Sequence, residues 1–492
     1  MSDEANVPNF PLGADRSWDL AVRVPADRRV LGTAVAVAIA TDLTWKAGPA
    51  TVAATLLVVV VSAGMLASRR VMNPQAALLV GLAPPYAVWL AFRASPWLVL
   101  PDLAVVIALL VFGASLRDRG SLFDLGFRDA LRRTVHAATH VVAAAPFAVA
   151  AARQIPFGAE WVRTRSRELV RGALLATPIV VVVGSLLASA DAVFASFFDI
   201  DVALAPALRH VVSVTVGFLA MSGLLRAYSA AELRGSPAVR PLLGSVEMIV
   251  VLGPLCGVLA TFAVAQLVAL STGGRRVIET SGLTYAEYAR SGFFQLVAVA
   301  AITLAVVLVV RSRTDLTTAR TRRAFLLLSA VALALTMGVV VVAVRRMDLY
   351  EQAYGLTMLR LYVRVFTLSI GAILAIAGLR IAGVGGHRRW GMGAAVTLGL
   401  AALLALNAIN PEALVVRRNM AHATGTRTFD AAYAAGLSAD AVPALVEVLP
   451  RLDPVSRGAL RDALCRRAPA DGEWLSWNRS TKAADASLAT AC

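Results

Sequence analysis

The stretch QLVAVAAITLAVVLVV, Gln295 to Val310, contains no charge and no turn residue, and it runs straight into Arg311. With Phe293 and Phe294 in front of it, it approaches the roughly 17 to 25 apolar residues that carry a helix across a hydrocarbon core of about 30 Å. The preceding TYAEYARSGFF, Thr284 to Phe294, packs two tyrosines, a carboxylate and an arginine against its edge. Amphipathic rings favour the headgroup level, so this segment reads as a polar aromatic collar on a membrane span.

The same apolar window recurs along the chain. Spans are expected at Val30 to Trp45, Ala50 to Ser68, Gln75 to Phe92, Trp97 to Leu116, Leu169 to Ala188 and Leu208 to Ala227. They continue at Leu243 to Leu270, Phe293 to Val310, Ala324 to Val344, Val363 to Ile381 and Trp390 to Ala408. The fold class is therefore all-α: a polytopic transmembrane bundle of about eleven spans with a small helical C-terminal tail domain. Composition agrees, since 58% of the 492 residues are hydrophobic and 16% charged, and mean hydropathy is +0.71. Soluble domains are usually about 45 to 50% apolar.

A net charge of +16 would suggest nucleic acid in a soluble protein, but in a membrane protein it is read loop by loop. With an internal N-terminus, Arg69 and Arg70, Arg117 and Arg119, the basic run from Arg128 to Arg171, Arg311 to Arg323, and Arg388 and Arg389 all fall inside. The opposite loops are shorter or more acidic, with Arg275, Arg276, Arg345 and Arg346 as exceptions. The N-terminus is thus expected in the cytoplasm and, with an odd span count, the C-terminal tail outside it. The first residues lack the apolar core of a cleaved leader. Nucleic acid is not expected as a partner; the lipid bilayer is.

The expected divisions are 1–29 as a cytoplasmic tail, 30–116 as four spans, 117–168 as a basic interfacial segment, 169–410 as a seven-helix membrane core, and 411–492 as a soluble helical tail. SLFDLGFRDALRR, Ser121 to Arg133, alternates apolar and charged residues as an interfacial helix does. Pro84 with Pro85, and Gly253 with Pro254, interrupt two spans; such breaks either line cavities or are satisfied by neighbouring helices. In the tail, Ser438 caps an amphipathic run with Val442, Leu445, Val446 and Leu449 on one face. That face needs cover, from the membrane body or from a protein partner docking on the tail. Cys465 and Cys492 share this tail as either a disulfide or two thiols, and Cys256 is a small packing residue inside a span.

Candidate chemistry gathers on the side opposite the basic loops. Thr284 and Glu287 form a capping box, with Tyr285 and Tyr288 at headgroup level and Arg290 free to snorkel. RRMDLYEQAYGLTMLRLYVRVF, Arg345 to Phe366, repeats that composition: Asp348 and Glu351 at cap spacing, Tyr350 and Tyr354 one turn apart, and Arg360 and Arg364 one turn apart. Arg364 falls within its span, where a cation costs roughly 2.5 to 3.5 kcal/mol at the centre, so it needs a partner. Glu287, Asp191 and Asp102 are the candidates. The expected polar site thus comprises Asp191, Tyr285, Glu287, Tyr288, Arg290, Asp348, Glu351, Tyr354, Arg360 and Arg364. No catalytic residue is assigned.

SADAVF at Ser189 to Phe194, GLTYAEYARSGFF at Gly282 to Phe294, YGLTMLRLYV at Tyr354 to Val363 and ALNAINPEAL at Ala405 to Leu414 together resemble an uncharacterised bacterial multi-pass membrane family, the domain of unknown function 4153/4173 type. The resemblance covers most of the chain from about residue 165 to the tail. It implies an integral membrane protein of the cell envelope and carries over no catalytic residue.

A glycine-rich phosphate loop with Lys and Ser/Thr, a dinucleotide fingerprint and an HExxH motif are all missing, which argues against an ATP-driven pump or a zinc protease. His136 and His140 have the spacing of a metal pair but no third ligand at ligand spacing. No metal and no cofactor are expected. Three function classes remain: a scaffold or signalling component, a transporter-like protein, and a membrane enzyme acting on a lipid or envelope substrate.

Overall fold

The computed structural model describes residues 28–67, 73–116, 127–142, 144–145, 147–148, 204–229, 241–271, 293–385, 390–423, 429–467 and 472–492. The collar Thr284 to Gly292, the SADAVF segment and the expected span Leu169 to Ala188 lie outside the described residues, and with them Asp191, Tyr285, Glu287, Tyr288 and Arg290.

The membrane helices are α1 (Arg28–Ala47), α2 (Val52–Ala67), α3 (Pro74–Phe92) and α4 (Pro96–Ser115), then α6 (Leu204–Ser229), α7 (Ser245–Ser271), α8 (Phe293–Arg313), α9 (Ala319–Tyr354), α10 (Met358–Ile381) and α11 (Gly391–Ile409). Nine described helices are long and apolar enough to cross a membrane, while α2 is apolar but shorter, at 16 residues. The chain is a polytopic α-helical membrane protein. Apolar side chains point away from the protein on these helices, as Val258 (70% exposed) and Leu267 (65%) do on α7. Lipid is the solvent that such surfaces require.

The prolines do not break their helices. Pro84 and Pro85 lie within a continuous α3, and Pro254 within a continuous α7. Cys256 of α7 is buried and donates to the Leu328 carbonyl of α9 at 3.4 Å.

Two apolar cores result. One joins α1 to α4 with α6 and the end of α11, around Met65, Val80, Leu90, Leu98 and Met221. The other joins α7 to α10, around Met248, Leu252, Phe325 and Leu374. Helix α10 belongs to both, since Ile370 and Leu374 face the second core while Tyr362 and Val365 pack against the first. The helix α5 (Phe127–Val142) lies against α4 and α6, with Arg133 donating to the Ser115 carbonyl at 2.7 Å.

The C-terminal module contains α12 (Pro411–His422), α13 (Ala431–Ala435), α14 (Val442–Val448), α15 (Pro454–Cys465) and α16 (Arg479–Ala491), with short 3-10 turns between them. Its own core is built on Val442, Leu445, Val448, Leu449, Leu460 and Leu464. Ser438 caps a 3-10 turn, Ala439–Ala441, that leads into α14. Val448 is buried there and Val446 only partly so, because the 3-10 entry rotates the buried face. A disulfide joins Cys465 to Cys492, with Cα atoms 5.7 Å apart.

Candidate functional site at the junction of spans and tail

The C-terminal module sits on the ends of the spans. It gathers four chain junctions on one face: Gly48 to Thr51, Arg93 to Ser95, Gly355 to Thr357, and Asn410. The opposite face carries the Arg28 end of α1 and the backbone pairing of Leu243 with Arg313 and Asp315.

Two polar residues of the module do most of the joining. Asn478 caps α16 and points its amide at the membrane body, donating to the carbonyls of Ala50 (3.0 Å), Leu90 (3.2 Å) and Arg93 (3.0 Å). It thereby ties the α1–α2 turn to the end of α3. The Asp440 carboxylate accepts from the amides of Ala94 (3.2 Å) and Ser95 (2.8 Å) and from the Ser480 hydroxyl. Both residues are almost fully buried. Buried polar groups need partners, and here the partners are backbone groups left over where helices end.

Glu412 supports the same joint. Its carboxylate accepts from the Ser95 hydroxyl (2.6 Å) and from the Ser438 amide (2.8 Å) and hydroxyl (2.6 Å). Burial holds its pKa above the ordinary carboxylate range, against the pull of those hydrogen bonds. Asn410 adopts a left-handed backbone (φ 56°), which turns the chain sharply from α11 into α12 ahead of Pro411. Its amide donates to the Asp440 carbonyl at 2.9 Å. Just inside the membrane, Asp102 of α4 is fully buried and accepts from Asn407 of α11 at 2.8 Å. Its partner is thus an amide and not Arg364.

Beside this joint lies a polar cavity of about 470 Å³ between α9, α10 and α12. Helix α9 contributes Arg345, Asp348, Glu351 and Gln352, α10 contributes Arg364, and α12 contributes Arg418, Asn419 and His422. The turn between α9 and α10 is held by Asn419, whose side chain accepts from the Leu356 amide (2.7 Å) and donates to the Leu356 carbonyl (2.8 Å). Gly355 precedes it at φ 77°, where a side chain would be strained and would meet Asn419 Oδ1 at 3.1 Å.

Arg364 bridges two carboxylates with one nitrogen, Asp348 at 2.9 Å and Glu351 at 3.1 Å. The partner expected among Glu287, Asp191 and Asp102 is instead the pair on the neighbouring helix. Since α9 extends to Tyr354, Asp348 and Glu351 lie inside it, with no capping box between them. Their three-residue spacing puts both on the face turned to α10. Glu351 Oε1 is buried with no hydrogen-bond partner among the described residues.

Tyr354 and Arg360 stand next to the cavity. Tyr350 and Tyr354 meet edge to face at 5.0 Å, and the Arg360 guanidinium lies 4.4 Å from the Tyr350 ring centroid. Arg360 also donates to the carbonyls of Tyr354 and Gly355, so it fastens the turn. Of the ten expected site residues, the structure brings Asp348, Glu351 and Arg364 into one cavity and sets Tyr354 and Arg360 at its edge. Sequence reasoning missed Arg418, Asn419, Asp440, Asn478 and Glu412. The string ALNAINPEAL holds Asn407, Asn410 and Glu412, three polar residues in an otherwise apolar run, and that contrast is the signal available for them.

At the opposite face, His136 and His140 of α5 lie 3.3 Å apart, and Arg226 approaches His140 at 3.0 Å. Burial and the neighbouring His136 and Arg226 push the His140 pKa down to about 4. No group of three or more metal-ligating side chains occurs among the described residues.

Residues 76–448 match the family described as Domain of unknown function (DUF4153). The chain belongs to this family. The DUF4153 match begins in α3 and ends at the last residue of α14, so it takes in the whole cavity, Asp102, Glu412 and Asp440. Asn478, Ser480 and the disulfide lie beyond it. No curated protein and no solved structure matches the chain.

Proposed function

We propose that the chain is a scaffold or signalling component of the cell envelope, with a cytoplasmic N-terminus and a binding site on the extracytoplasmic face. The joint carries this reading: Asn478 and Asp440 lock the C-terminal module to three separate helix ends, so a ligand or partner on the module acts on the membrane body as well. Two observations support the orientation. The basic loops favour the face opposite the module, and the Cys465–Cys492 disulfide suits an oxidising compartment.

A transporter would need polar groups through the middle of the bundle. Among the described residues the middle of the first core holds isolated buried hydroxyls, Ser62 and Ser222, beside Met65 and Met221, with the charged clusters toward the two faces. A membrane enzyme on a lipid or envelope substrate would use the Asp348 and Glu351 carboxylates. A single guanidinium nitrogen bridges them, which holds both in place as an ion-pair cluster.

Two measurements test the reading. Val455 on α15 is 81% exposed and Leu242, on the opposite face, is 70% exposed, so each can be replaced by cysteine and challenged with an impermeant maleimide on intact cells. Labelling of Val455→Cys and protection of Leu242→Cys is expected; the reverse pattern would overturn the orientation. Purified protein in planar bilayers should stay electrically silent, and steady ionic currents would replace the scaffold reading with a channel.

A further inference from the structure

We propose that the cavity between α9, α10 and α12 binds a phosphate group that carries a nearby hydrogen-bond donor, as the phosphoethanolamine unit of a headgroup does. This rests on the reading of that cavity as the functional site.

The charge count is the first reason. Three guanidinium groups, Arg345, Arg364 and Arg418, face two carboxylates in a space of about 470 Å³. Arg364 is held by both carboxylates. The Arg345 and Arg418 side chains make no ion pair within 4 Å among the described residues, although the Arg418 charge acts on Glu351, and they reach the cavity from different helices, α9 and α12. Two guanidinium groups lining one cavity can supply several N–H donors to the oxygens of one tetrahedral anion, as arginine does when it recognises phosphate.

The second reason is Glu351. Its Oε2 binds Arg364, but its Oε1 is buried with no partner among the described residues, on a side chain that lines the cavity. A buried acceptor left unmet is unfavourable. A bare anion does not meet that need, whereas an ammonium or hydroxyl attached to the phosphate does. The site thus asks for both halves of a zwitterion: the arginines for the phosphate and Glu351 for the donor. The cavity also has room for more than phosphate alone.

The test uses the purified full chain in detergent and calorimetric titration with O-phosphoethanolamine, phosphocholine and inorganic phosphate. Phosphoethanolamine should bind about tenfold more tightly than phosphocholine, which has the same phosphate but no N–H, in keeping with one charge-assisted hydrogen bond. Glu351→Gln should erase that preference while keeping phosphate binding, and Arg418→Gln should weaken all three. Equal affinity for phosphoethanolamine and phosphocholine in the native chain would overturn the inference, and this arm needs no variant to fold. Unchanged binding in Arg418→Gln, with an unaltered melting curve, would overturn it as well.

Repeating the titration in phosphatidylethanolamine and phosphatidylcholine nanodiscs separates the sources. Loss of phosphoethanolamine binding only in the former identifies a lipid headgroup; binding retained in both identifies a free phosphate ester. Absence of binding with the labelling pattern intact would remove this inference alone. Binding with a reversed labelling pattern would remove the orientation and leave the ligand chemistry standing.

Discussion

Asn478 shows how much one amide can hold. Its three acceptors belong to Ala50, Leu90 and Arg93, and no other donor takes their place when the side chain is cut back. Asn478→Ala should cost about 1 to 3 kcal/mol of docking, the usual range for buried groups left unmet. Limited proteolysis of the module in detergent is the measurement, and faster cleavage is expected. Arg364→Leu leaves Asp348 and Glu351 adjacent with no counter-charge between them, and it should destabilise by about 1 to 3 kcal/mol, the range for a charged hydrogen-bond partner lost at a partly exposed site. Thermal melting monitored by aggregation reads this, and Arg364→Lys should recover part of the loss.

Glu412 makes the joint sensitive to pH. Its raised pKa means that the fold favours the protonated carboxyl, so its contribution to stability is complete below the ordinary value of about 4.5 and is lost as pH rises through the raised one. Module docking should loosen in that direction. Glu412→Gln should flatten the dependence, and an unchanged slope in the variant would assign the effect to other groups.

At the scale of elements, the spans were legible because a lipid solvent demands long apolar runs. Among the described residues, nearly every expected boundary falls within a few residues of a helix end, as with Gln75 to Phe92 against Pro74–Phe92. The exception is α9, which continues ten residues beyond Val344 through a charged segment. Hydropathy ends a span where charge begins, yet the helix persists because Asp348 and Glu351 bind Arg364 and Arg345 opens onto a polar cavity there.

That extension explains what the sequence could not yield about the site. Asp348, Glu351 and Arg364 were recognised from their local pattern, but Arg418 and Asn419 arrive from α12, more than fifty residues later in the chain. No periodicity relates them. The turn that brings them together depends on Gly355. Gly355→Ala should cost about 1 to 3 kcal/mol, because φ 77° with ψ 176° is a backbone region essentially confined to glycine. It should also weaken ligand binding in the cavity, measured on the same titration as the native chain.

At the scale of the molecule, α10 ties three packing units together: it contributes to both membrane cores, while Met358 at its start enters the core of the module. The Cys465–Cys492 disulfide closes the module over a separation of 27 residues. A loop of that length implies about 3 to 4 kcal/mol in the chain-entropy account. Reductant should therefore lower the melting temperature of the module while leaving the helical content of the spans intact, as circular dichroism can follow.

The Asn478 lock also sets a timetable. Its bond to Ala50 joins residues 428 positions apart, so α1 to α4 are synthesised and threaded into the bilayer long before their clasp exists. During that interval the first two hairpins rely on apolar packing and on hydroxyl bonds such as that from Thr55 to the Ala87 carbonyl. A ribosome that stops short of α16 would leave an inserted but unclasped body, with Asp440 stripped of its Ser480 partner and the carbonyls of Ala50, Leu90 and Arg93 exposed. Such a product would be marked for quality-control proteases by its own unmet backbone groups.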